Sequence, residues 1–189
     1  MKELVLASNN KHKKDEIQSI LTGYKILTLE DIGFFDEIVE DETTFEGNSL
    51  KKARIVAQFS GKDTIADDSG LCIELLNGDP GVYSARYSDK GTDEANIDKV
   101  LDKLNGRTSK AVFVSVISLV TKNGEEHSFR GECSGEIITE RLGDNGFGYD
   151  PIFYVPSFKK TFAELSALEK NSISHRKEAL KLLVDFLGK

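Results

Sequence analysis

The chain has 189 residues, a length that suits one domain or one core divided into two lobes. Its formal net charge of -7 argues against a protein that binds duplex DNA or RNA, because such a protein needs a broad basic face. Neither cysteine belongs to a Cys-x-x-Cys pair, which argues against zinc and thiol–disulfide chemistry. The amino-terminal segment has no long apolar run, and residues 111–120 are too few to span a bilayer. A cytoplasmic protein without membrane contact is expected.

The first third of the chain predicts alternating strands and helices. Residues 3–7 predict a buried strand, 11–22 a helix and 25–29 a second strand. Another helix is expected to begin near Thr43-Thr44-Phe45-Glu46, which fits a capping box, and to stop at Gly61.

The remainder mixes helices with a central β-rich region. The apolar spacing predicts helices at 92–105 and 174–187, and strands at 111–121, 125–130, 132–139 and 151–155. Asn123-Gly124 is typical of a hairpin turn. Helices interleaved with strands, together with an antiparallel hairpin, indicate an α/β protein with a mixed sheet flanked by helices.

Two adjacent aspartates, Asp67 and Asp68, follow the apolar residues 64–66 and precede Ser69-Gly70, where a turn is expected. Two like charges at the end of a strand are unfavourable unless a cation lies beside them, and Mg²⁺ prefers carboxylate oxygen. Successive strand residues face opposite sides, so the two carboxylates need not do the same work. The alternative is an ordinary turn with two solvated acids.

Two further segments carry groups that suit a phosphate or a metal. Ser8–Lys13 lies where a strand gives way to a helix, and free N–H groups with asparagine and lysine form a phosphate cradle there. Glu40-Asp41-Glu42 precedes a helix that carries Lys51 and Lys52. One acid suits a metal ligand and one lysine a phosphate contact. Simple helix capping, favourable helix-dipole contacts and solvated lysines are the alternatives.

Two late segments suit the recognition of a base. Phe147 stands between two glycines, which leaves its ring open for stacking, and Asp150 follows within reach of a ring N–H. His175 and Arg176 begin the last predicted helix, where cations oppose the helix dipole and indicate an anionic or carbonyl-rich neighbour. The alternatives are a tight turn with core aromatic residues and a capping or core histidine.

The order of these motifs is more specific than any one of them. The chain carries Ser-Asn-Asn-x-x-Lys, Thr-Phe-x-x-Asn with Lys-Ala, Ala-Asp-Asp-Ser-Gly-Leu, Pro-Gly-Val-Tyr-Ser-Ala-Arg, Gly-Phe-Gly-Tyr-Asp-Pro-Ile-Phe and Ser-His-Arg in that order. This series closely resembles the inosine triphosphate pyrophosphatase family, whose members cleave non-standard purine nucleoside triphosphates. The resemblance extends from Leu4 to the final helix.

The resemblance implies a role for each matching position. Glu40 and Asp68 would bind Mg²⁺, with Asp68 also the base for the attacking water, although Glu42 stands where glycine is frequent and leaves the choice between Glu40 and Glu42 open. The substrate-binding residues implied by the resemblance are Ser8, Asn9, Asn10, Lys11, His12, Lys13 and Lys52 at the phosphates, Ser69, and Phe147, Gly148, Tyr149, Asp150, Lys170, His175 and Arg176 at the base.

The family's fold is an elongated mixed sheet flanked by helices, a single domain over residues 1–189 with a substrate cleft between two lobes, and its members are commonly homodimers. The expected reaction is Mg²⁺-dependent hydrolysis of ITP, dITP or XTP to the nucleoside monophosphate and pyrophosphate. Two alternatives are a pyrophosphatase for pyrimidine or modified deoxynucleotides and a non-catalytic nucleotide-binding protein.

Overall fold

The computed structural model describes residues 2–188, and over this part of the chain seven strands and five α-helices are formed. The strands are β1 (Lys2–Leu6), β2 (Tyr24–Leu27), β3 (Thr64–Ile73), β4 (Ser109–Val120), β5 (Glu126–Ile137), β6 (Phe153–Val155) and β7 (Lys160–Thr161). The helices are α1 (Lys11–Ile20), α2 (Phe45–Ser60), α3 (Asp93–Leu104), α4 (Ala167–Ile173) and α5 (His175–Leu187). Short 3₁₀ turns occur in several of the connections.

The described strands form a single sheet in the order β2-β1-β3-β4-β5-β6-β7. Strand β1 runs parallel to both β2 and β3, whereas β6 is antiparallel to both β5 and β7. The predicted mixed α/β sheet is therefore confirmed. Among the helices of residues 2–188, none combines the length and the hydropathy that crossing a bilayer requires.

Two predicted interruptions of strands are wrong. Strand β3 continues through Ser69-Gly70, where a turn was expected, and β5 continues through Gly131, where two separate strands were expected. Both strands are hydrogen-bonded to β4 in the sheet. Ladder pairing and buried residues before and after the interruption, such as Ile65 and Leu71 in β3, override the local preference for a turn.

Helix α2 begins at Phe45, within the segment where its start was expected, but the predicted capping box is wrong. The side chain of Thr44 accepts the hydrogen bond from the Gly47 N–H, so Thr44 is the N-cap and the capping box from Thr43 to Glu46 does not form. The predicted stop is confirmed, because Gly61 takes the left-handed conformation that ends a helix. The short helix α4 was not predicted.

The chain divides into two compact units. The first unit comprises residues up to Asp68, Ser115–Gly131 and residues from Arg176 onward, and the second comprises Ser69–Val114 and Glu132–His175. The boundaries fall inside β3, β4, β5 and the first turn of α5.

In the first unit, β1 is buried on both faces. Leu4 and Leu6 pack in one cluster with residues of α1 and α5, whereas Val5 and Ala7 pack in another with residues of α2. This alternation is what a strand covered by helices on both sides requires. The core of the second unit is separate and joins α3 to the second unit's parts of β3, β4 and β5 and to aromatic residues of the carboxyl-terminal third.

Candidate functional site

The two central aspartates lie on opposite faces of β3. Ile65 packs with α1 and α5, and Ala66 packs with α2, so the alternation of the strand sends Asp67 toward the first pair of helices and Asp68 toward α2. The contacts agree, since the Asp67 carboxylate meets Lys13 of α1 whereas the Asp68 carboxylate lies near Lys52 of α2. The expectation that the two carboxylates have different surroundings is confirmed.

The end of β1 leaves the Asp67 carbonyl available. Carbonyls of alternate β3 residues accept from β1, with Val5 N–H bonded to Asp63 and Ala7 N–H bonded to Ile65. Because β1 ends at Leu6, the next carbonyl of this series accepts from side chains instead. Lys52 Nζ lies 2.8 Å and Lys13 Nζ 3.5 Å from the Asp67 oxygen.

Two ammonium groups therefore converge just beyond the carboxyl end of a parallel strand. That edge is where open α/β sheets bind their ligands. Lys13 belongs to α1 and Lys52 to α2, so the two lysines reach this point from helices on opposite faces of the sheet.

The negative charge of Asp68 is only partly compensated by nearby cations. Lys52 Nζ is 3.7 Å from Oδ1, and Oδ2 is buried without a hydrogen-bond partner among residues 2–188. Burial raises the pKa of Asp68 to about 6, since the nearby Lys52 only partly offsets the loss of solvent and Glu40 adds a like charge.

Glu40 completes this side of the site. Its carboxylate forms a short ion pair with Lys52 Nζ, so the ammonium lies between two carboxylates. Glu42, the alternative metal ligand, is exposed, and its N–H donates to Asn48 Oδ1 at 3.0 Å. The structure thus places Glu40 beside Asp68 through their shared lysine, and within residues 2–188 it shows no corresponding contact for Glu42.

The donor set fits a hard divalent cation that shares its coordination with a ligand. No group of three or more histidine, cysteine, aspartate or glutamate residues among the described residues could hold a metal ion alone. Mg²⁺, however, is commonly held by one or two carboxylates together with waters and substrate phosphates. Glu40 and the orphaned oxygen of Asp68 provide such carboxylates, and Lys52 shows that a positive charge is accommodated beside them.

Asp67 belongs to a buried ion network that the sequence did not reveal. Its carboxylate accepts from Lys13 at 3.2 Å and from the Arg176 guanidinium, which also pairs with Glu16. Burial by itself would raise the pKa of Asp67, but the charges of Arg176 and Lys13 outweigh it and hold that pKa well below its usual range. Glu16 lies one turn after Lys13 on α1, a spacing that predicts a shared helix face but not a partner in α5.

The amino-terminal segment forms the start of α1. Asn10 caps the helix by accepting from the Lys13 N–H at 3.1 Å, and Ser8 accepts from the Asn10 N–H at 3.1 Å. Asn9, Lys11 and His12 are exposed. The helix capping that the sequence offered as an alternative therefore occurs. The N-terminus of α1 stays exposed, and its partial positive charge lies beside Lys13.

In the second unit, residues Gly146–Asp150, here termed the aromatic loop, close around a buried ion pair. Lys170 Nζ is 2.8 Å from Asp150 Oδ2, and the same oxygen accepts from the Phe147 N–H at 3.1 Å. The Lys170 ammonium also lies 4.8 Å from the centre of the Phe147 ring. A lysine from α4 thus supports the aromatic ring that sequence reasoning assigned to a base.

Two contacts that the sequence did not predict anchor this loop from outside. The Gly148 N–H donates to Asp93 Oδ2 at 2.8 Å, and the Tyr149 hydroxyl donates to the Ser84 carbonyl at 2.5 Å. Burial raises the pKa of the Tyr149 hydroxyl, which keeps it a donor. Ser84 belongs to the Pro-Gly-Val-Tyr-Ser-Ala-Arg motif, so this motif helps to hold the aromatic loop in place.

The remaining predicted residues separate at the boundary between the units. His175 is buried in the second unit, with its ring stacked 4.8 Å from that of Phe113, and Ser69 is half-buried in the same unit. Arg176, the next residue after His175, belongs to the first unit and is only 1% exposed. The structure brings together Lys13, Glu16, Glu40, Lys52, Asp67, Asp68 and Arg176, here termed the acid–lysine cluster.

These features define an α/β protein with a buried cluster of carboxylates and lysines at the carboxyl edge of its parallel strands. Comparison with known proteins identifies the group to which it belongs. The model of the Ham1 family matches residues 4–186. A protein of Leuconostoc mesenteroides subsp. mesenteroides named dITP/XTP pyrophosphatase is 50% identical over 96% of this chain and 94% of its own length.

Solved structures agree with this match. The Ham1 protein of Staphylococcus aureus superposes with a TM-score of 0.88 at 47% identity, covering 99% of this chain and 98% of that one. A HAM1 protein from Coxiella burnetii gives a TM-score of 0.89 at 43% identity, covering 100% and 99% of the two chains. The chain belongs to the Ham1 family.

Proposed function

We propose that this protein is a nucleoside triphosphate pyrophosphatase. It hydrolyses the non-standard purine nucleotides ITP, dITP and XTP to the nucleoside monophosphate and pyrophosphate, which removes them from the nucleotide pool. The observation that carries this proposal is the acid–lysine cluster, in which two lysines and two metal-competent carboxylates meet at one strand end. The name of the Leuconostoc relative, dITP/XTP pyrophosphatase, supports the same reaction.

The phosphates are proposed to bind at the amino-terminal end of α1 and at the two lysines. Free N–H groups at this helix end, with Ser8, Asn9, Asn10, Lys11 and His12 around them, favour an anion. Lys13 and Lys52 add two positive charges whose separation is limited by their shared contact with the Asp67 carbonyl. The chain as a whole carries a net charge of -7, so binding of a polyanion depends on this local arrangement.

Glu40 and Asp68 are the residues proposed to hold Mg²⁺. When bound, this ion supplies charge neutralisation of the phosphates and orientation of the leaving pyrophosphate. Lys52, whose ammonium lies between these two carboxylates, would be released from them by the metal and available to the phosphates. The choice of Glu40 over Glu42 follows from the shared ion pair with Lys52.

Asp68 is proposed to accept the proton from the attacking water. A pKa raised by burial to about 6 makes this carboxylate a stronger base than an exposed aspartate while leaving it ionised at neutral pH. Its oxygen Oδ2 accepts no hydrogen bond from residues 2–188, so the described part of the chain offers no donor that would compete with a water for it. Attack at the α-phosphorus breaks the bond to the bridging oxygen, and pyrophosphate leaves with that oxygen.

The purine is proposed to stack on Phe147, whose ring is supported by Lys170. Gly148, Tyr149 and Asp150 shape this loop, and Ser69 is assigned a substrate contact on the family's pattern. Donors near the base favour the six-position carbonyl of hypoxanthine or xanthine over the amino group of adenine. A buried donor left without a partner costs about 1–3 kcal/mol, which corresponds to roughly 5- to 150-fold discrimination.

Lys170 and His175 are the donors we assign to that carbonyl. The family pattern adds Arg176, but its guanidinium is engaged by Asp67 and Glu16 in the first unit. Base recognition by Arg176 remains a prediction that the comparison of ITP with ATP on an Arg176→Met variant tests.

A panel of nucleoside triphosphates, each with and without Mg²⁺, tests the proposed function. Pyrophosphate release is expected with ITP, dITP and XTP at rates at least about tenfold above ATP, GTP and the pyrimidine nucleotides, and only with the metal. The Asp68→Asn variant is the control and is expected to release none.

Two results would replace this proposal. A preference for pyrimidine or modified deoxynucleotides would identify a related pyrophosphatase with another specificity. Triphosphate binding by calorimetry without any turnover would identify a non-catalytic nucleotide-binding protein.

The proposed activity implies a cytoplasmic location, because its substrates belong to the cytosolic nucleotide pool. A homodimer is proposed from the resemblance to the inosine triphosphate pyrophosphatase family. Light scattering coupled to size-exclusion chromatography distinguishes a dimer from the 20.9 kDa monomer.

A further inference from the structure

We propose that Asp67 is a positioning residue. It fixes the position of the phosphate-binding ammonium of Lys13 and does not itself contact substrate, metal or water. Arg176 and Glu16 hold the Asp67 carboxylate in place for this task. This inference rests on the proposed function, because it gives Asp67 its part in the triphosphate site described above.

Both carboxylate oxygens of Asp67 are already committed. Oδ1 accepts from Lys13 Nζ at 3.2 Å, and Oδ2 accepts from Arg176 Nε in a short ion pair. The residue is 0% exposed, and its face of β3 is opposite to that of Asp68. Asp67 is thus directed away from the carboxylates assigned to the metal.

The remainder of the network is balanced in charge. Arg176 binds Asp67 and Glu16, and Lys13 binds Asp67, so two cations face two anions in a largely buried space. Such a network is held firmly, because breaking one pair leaves a buried charge uncompensated. Glu16 and Lys13 both stand on α1, so the network joins α1 and α5 to the middle of β3.

The backbone of Asp67 contributes to the same task. Its carbonyl receives Lys52 at 2.8 Å and Lys13 at 3.5 Å, so a single residue contacts both lysines. The carboxylate is the stronger anchor for Lys13, since it carries a full negative charge and lies nearer to Nζ, at 3.2 Å, than the carbonyl does, at 3.5 Å. Replacing the carboxylate by a neutral amide therefore weakens the hold on Lys13 while the carbonyl contacts of the backbone remain.

The test is a kinetic comparison of Asp67→Asn with the wild-type protein on ITP and Mg²⁺. A positioning role predicts a KM increased by about tenfold or more with kcat changed by less than about threefold. A merely structural role would reduce the folded fraction, which lowers the apparent kcat and leaves KM unchanged. That second pattern would overturn the proposal.

A double-mutant cycle asks whether Asp67 acts through Lys13. In a Lys13→Met background, Asp67→Asn is expected to change KM by less than about twofold. Additive effects of the two substitutions would contradict the proposal. The control Arg54→Met breaks the Arg54–Glu126 pair elsewhere in the first unit and is expected to leave KM unchanged.

A second variant keeps the test valid if Asp67→Asn does not fold. Asp67→Asn combined with Arg176→Met removes one anion and one cation and leaves Lys13 and Glu16 as opposite charges on α1, which stability tolerates better than the loss of one partner. The affinity of this double variant for inorganic triphosphate with Mg²⁺, a probe that has no base for Arg176 to contact, is expected to stay about tenfold below the wild-type value although the fold is restored. A return of that affinity to the wild-type value would refute the role of the carboxylate.

Calorimetric binding of inorganic triphosphate with Mg²⁺ separates this inference from the proposed function. If the wild-type protein binds this probe but hydrolyses no nucleotide, the proposed reaction fails. The positioning role of Asp67 is then supported if Asp67→Asn weakens binding of the probe by about tenfold, and it is refuted if binding is unchanged. If the wild-type protein neither binds nor hydrolyses a triphosphate, both proposals fall.

Discussion

At the scale of single residues, the two adjacent aspartates show how one strand places two side chains of the same type in opposite electrostatic environments. Asp67 is surrounded by cations, which hold its pKa well below the usual range, whereas burial raises the pKa of Asp68 to about 6. The difference follows from the alternation of β3 and from which helix covers each face. Opposite shifts of neighbouring carboxylates are typical of functional sites, where structural and reactive groups are separated.

Asp68→Asn is expected to stabilise the metal-free protein at neutral pH. The folded pKa of about 6 exceeds the ordinary aspartate value of 3.8. Stability from this group is therefore complete below about pH 4 and is lost as pH rises through about 6. Above that pH, ionised Asp68 costs on the order of 2–3 kcal/mol, which the amide avoids.

Urea unfolding in the presence of a chelator, from about pH 4 to about pH 7.5, measures this effect. The stabilisation should grow across that range and vanish at its acid end. The exposed Asp89→Asn is the matched control and should show no such pH dependence. Destabilisation by Asp68→Asn at neutral pH would contradict the prediction.

Glu40→Gln and Glu42→Gln form a second matched pair. Only Glu40 shares a lysine with Asp68, so its loss should weaken Mn²⁺ binding by about tenfold or more, whereas Glu42→Gln should change it less than about twofold. The Mn²⁺ concentration that gives half-maximal pyrophosphate release from saturating ITP provides the measurement, because the site is proposed to share the metal with the phosphates. Equal effects of the two substitutions would contradict the assignment of Glu40, and not Glu42, as the metal ligand.

At the scale of elements, the aromatic loop is held by a close approach of its own chain. Gly146 has a positive φ of 75°, and a Cβ there would lie 2.0 Å from Asp150 Oδ2. That oxygen is the one that binds both Lys170 and the Phe147 N–H. The glycine is therefore required by the ion pair that supports the stacking ring, beyond the general preference of turns for glycine.

Gly146→Ala is expected to destabilise the protein more than Gly148→Ala. Both positions have positive φ, so each substitution costs about 1–2 kcal/mol in backbone strain. A Cβ at Gly148 meets nothing within 4 Å, whereas at Gly146 it displaces Asp150 and adds about 1–3 kcal/mol. Thermal unfolding of both variants measures the difference, and equal losses would show that the approach of Asp150 is unimportant.

At the scale of the whole molecule, stability depends on three clusters of core residues, two in the first unit and one in the second. In the first unit, α1 and α5 pack on one face of the sheet and α2 on the other, and the second unit has its own cluster around α3. The acid–lysine cluster belongs to the first unit. Its buried charges are supported by apolar packing on both faces of the strands that carry it.

Leu183→Ala and Leu182→Ala test the packing of α5, which carries Arg176. Leu183 is 0% exposed and Leu182 is 47% exposed on the same helix. The first substitution is expected to cost about 2–5 kcal/mol by leaving a cavity, and the second less than about 1 kcal/mol. Chemical denaturation distinguishes them, and similar costs would show that α5 does not pack as described.

Much of this architecture could be predicted from the sequence. The major helices followed from apolar spacing and from stop signals such as Gly61, and the ordered motifs identified the residue types of the site. The errors arose where local preference and tertiary context disagree. Ser69-Gly70 favours a turn in isolation, but pairing with β4 and the buried Leu71 keep β3 extended.

The sequence by itself determined which residues were available for chemistry, because its motifs place acids, lysines and an aromatic ring at the ends of predicted elements. Only the tertiary structure decided which groups meet. Arg176 pairs with Asp67 across 109 positions and with Glu16 across 160, and no local pattern encodes such pairs. The reason is geometric: the end of β1 leaves the Asp67 carbonyl to two lysines, and the packing of α1 and α5 brings the buried charges together.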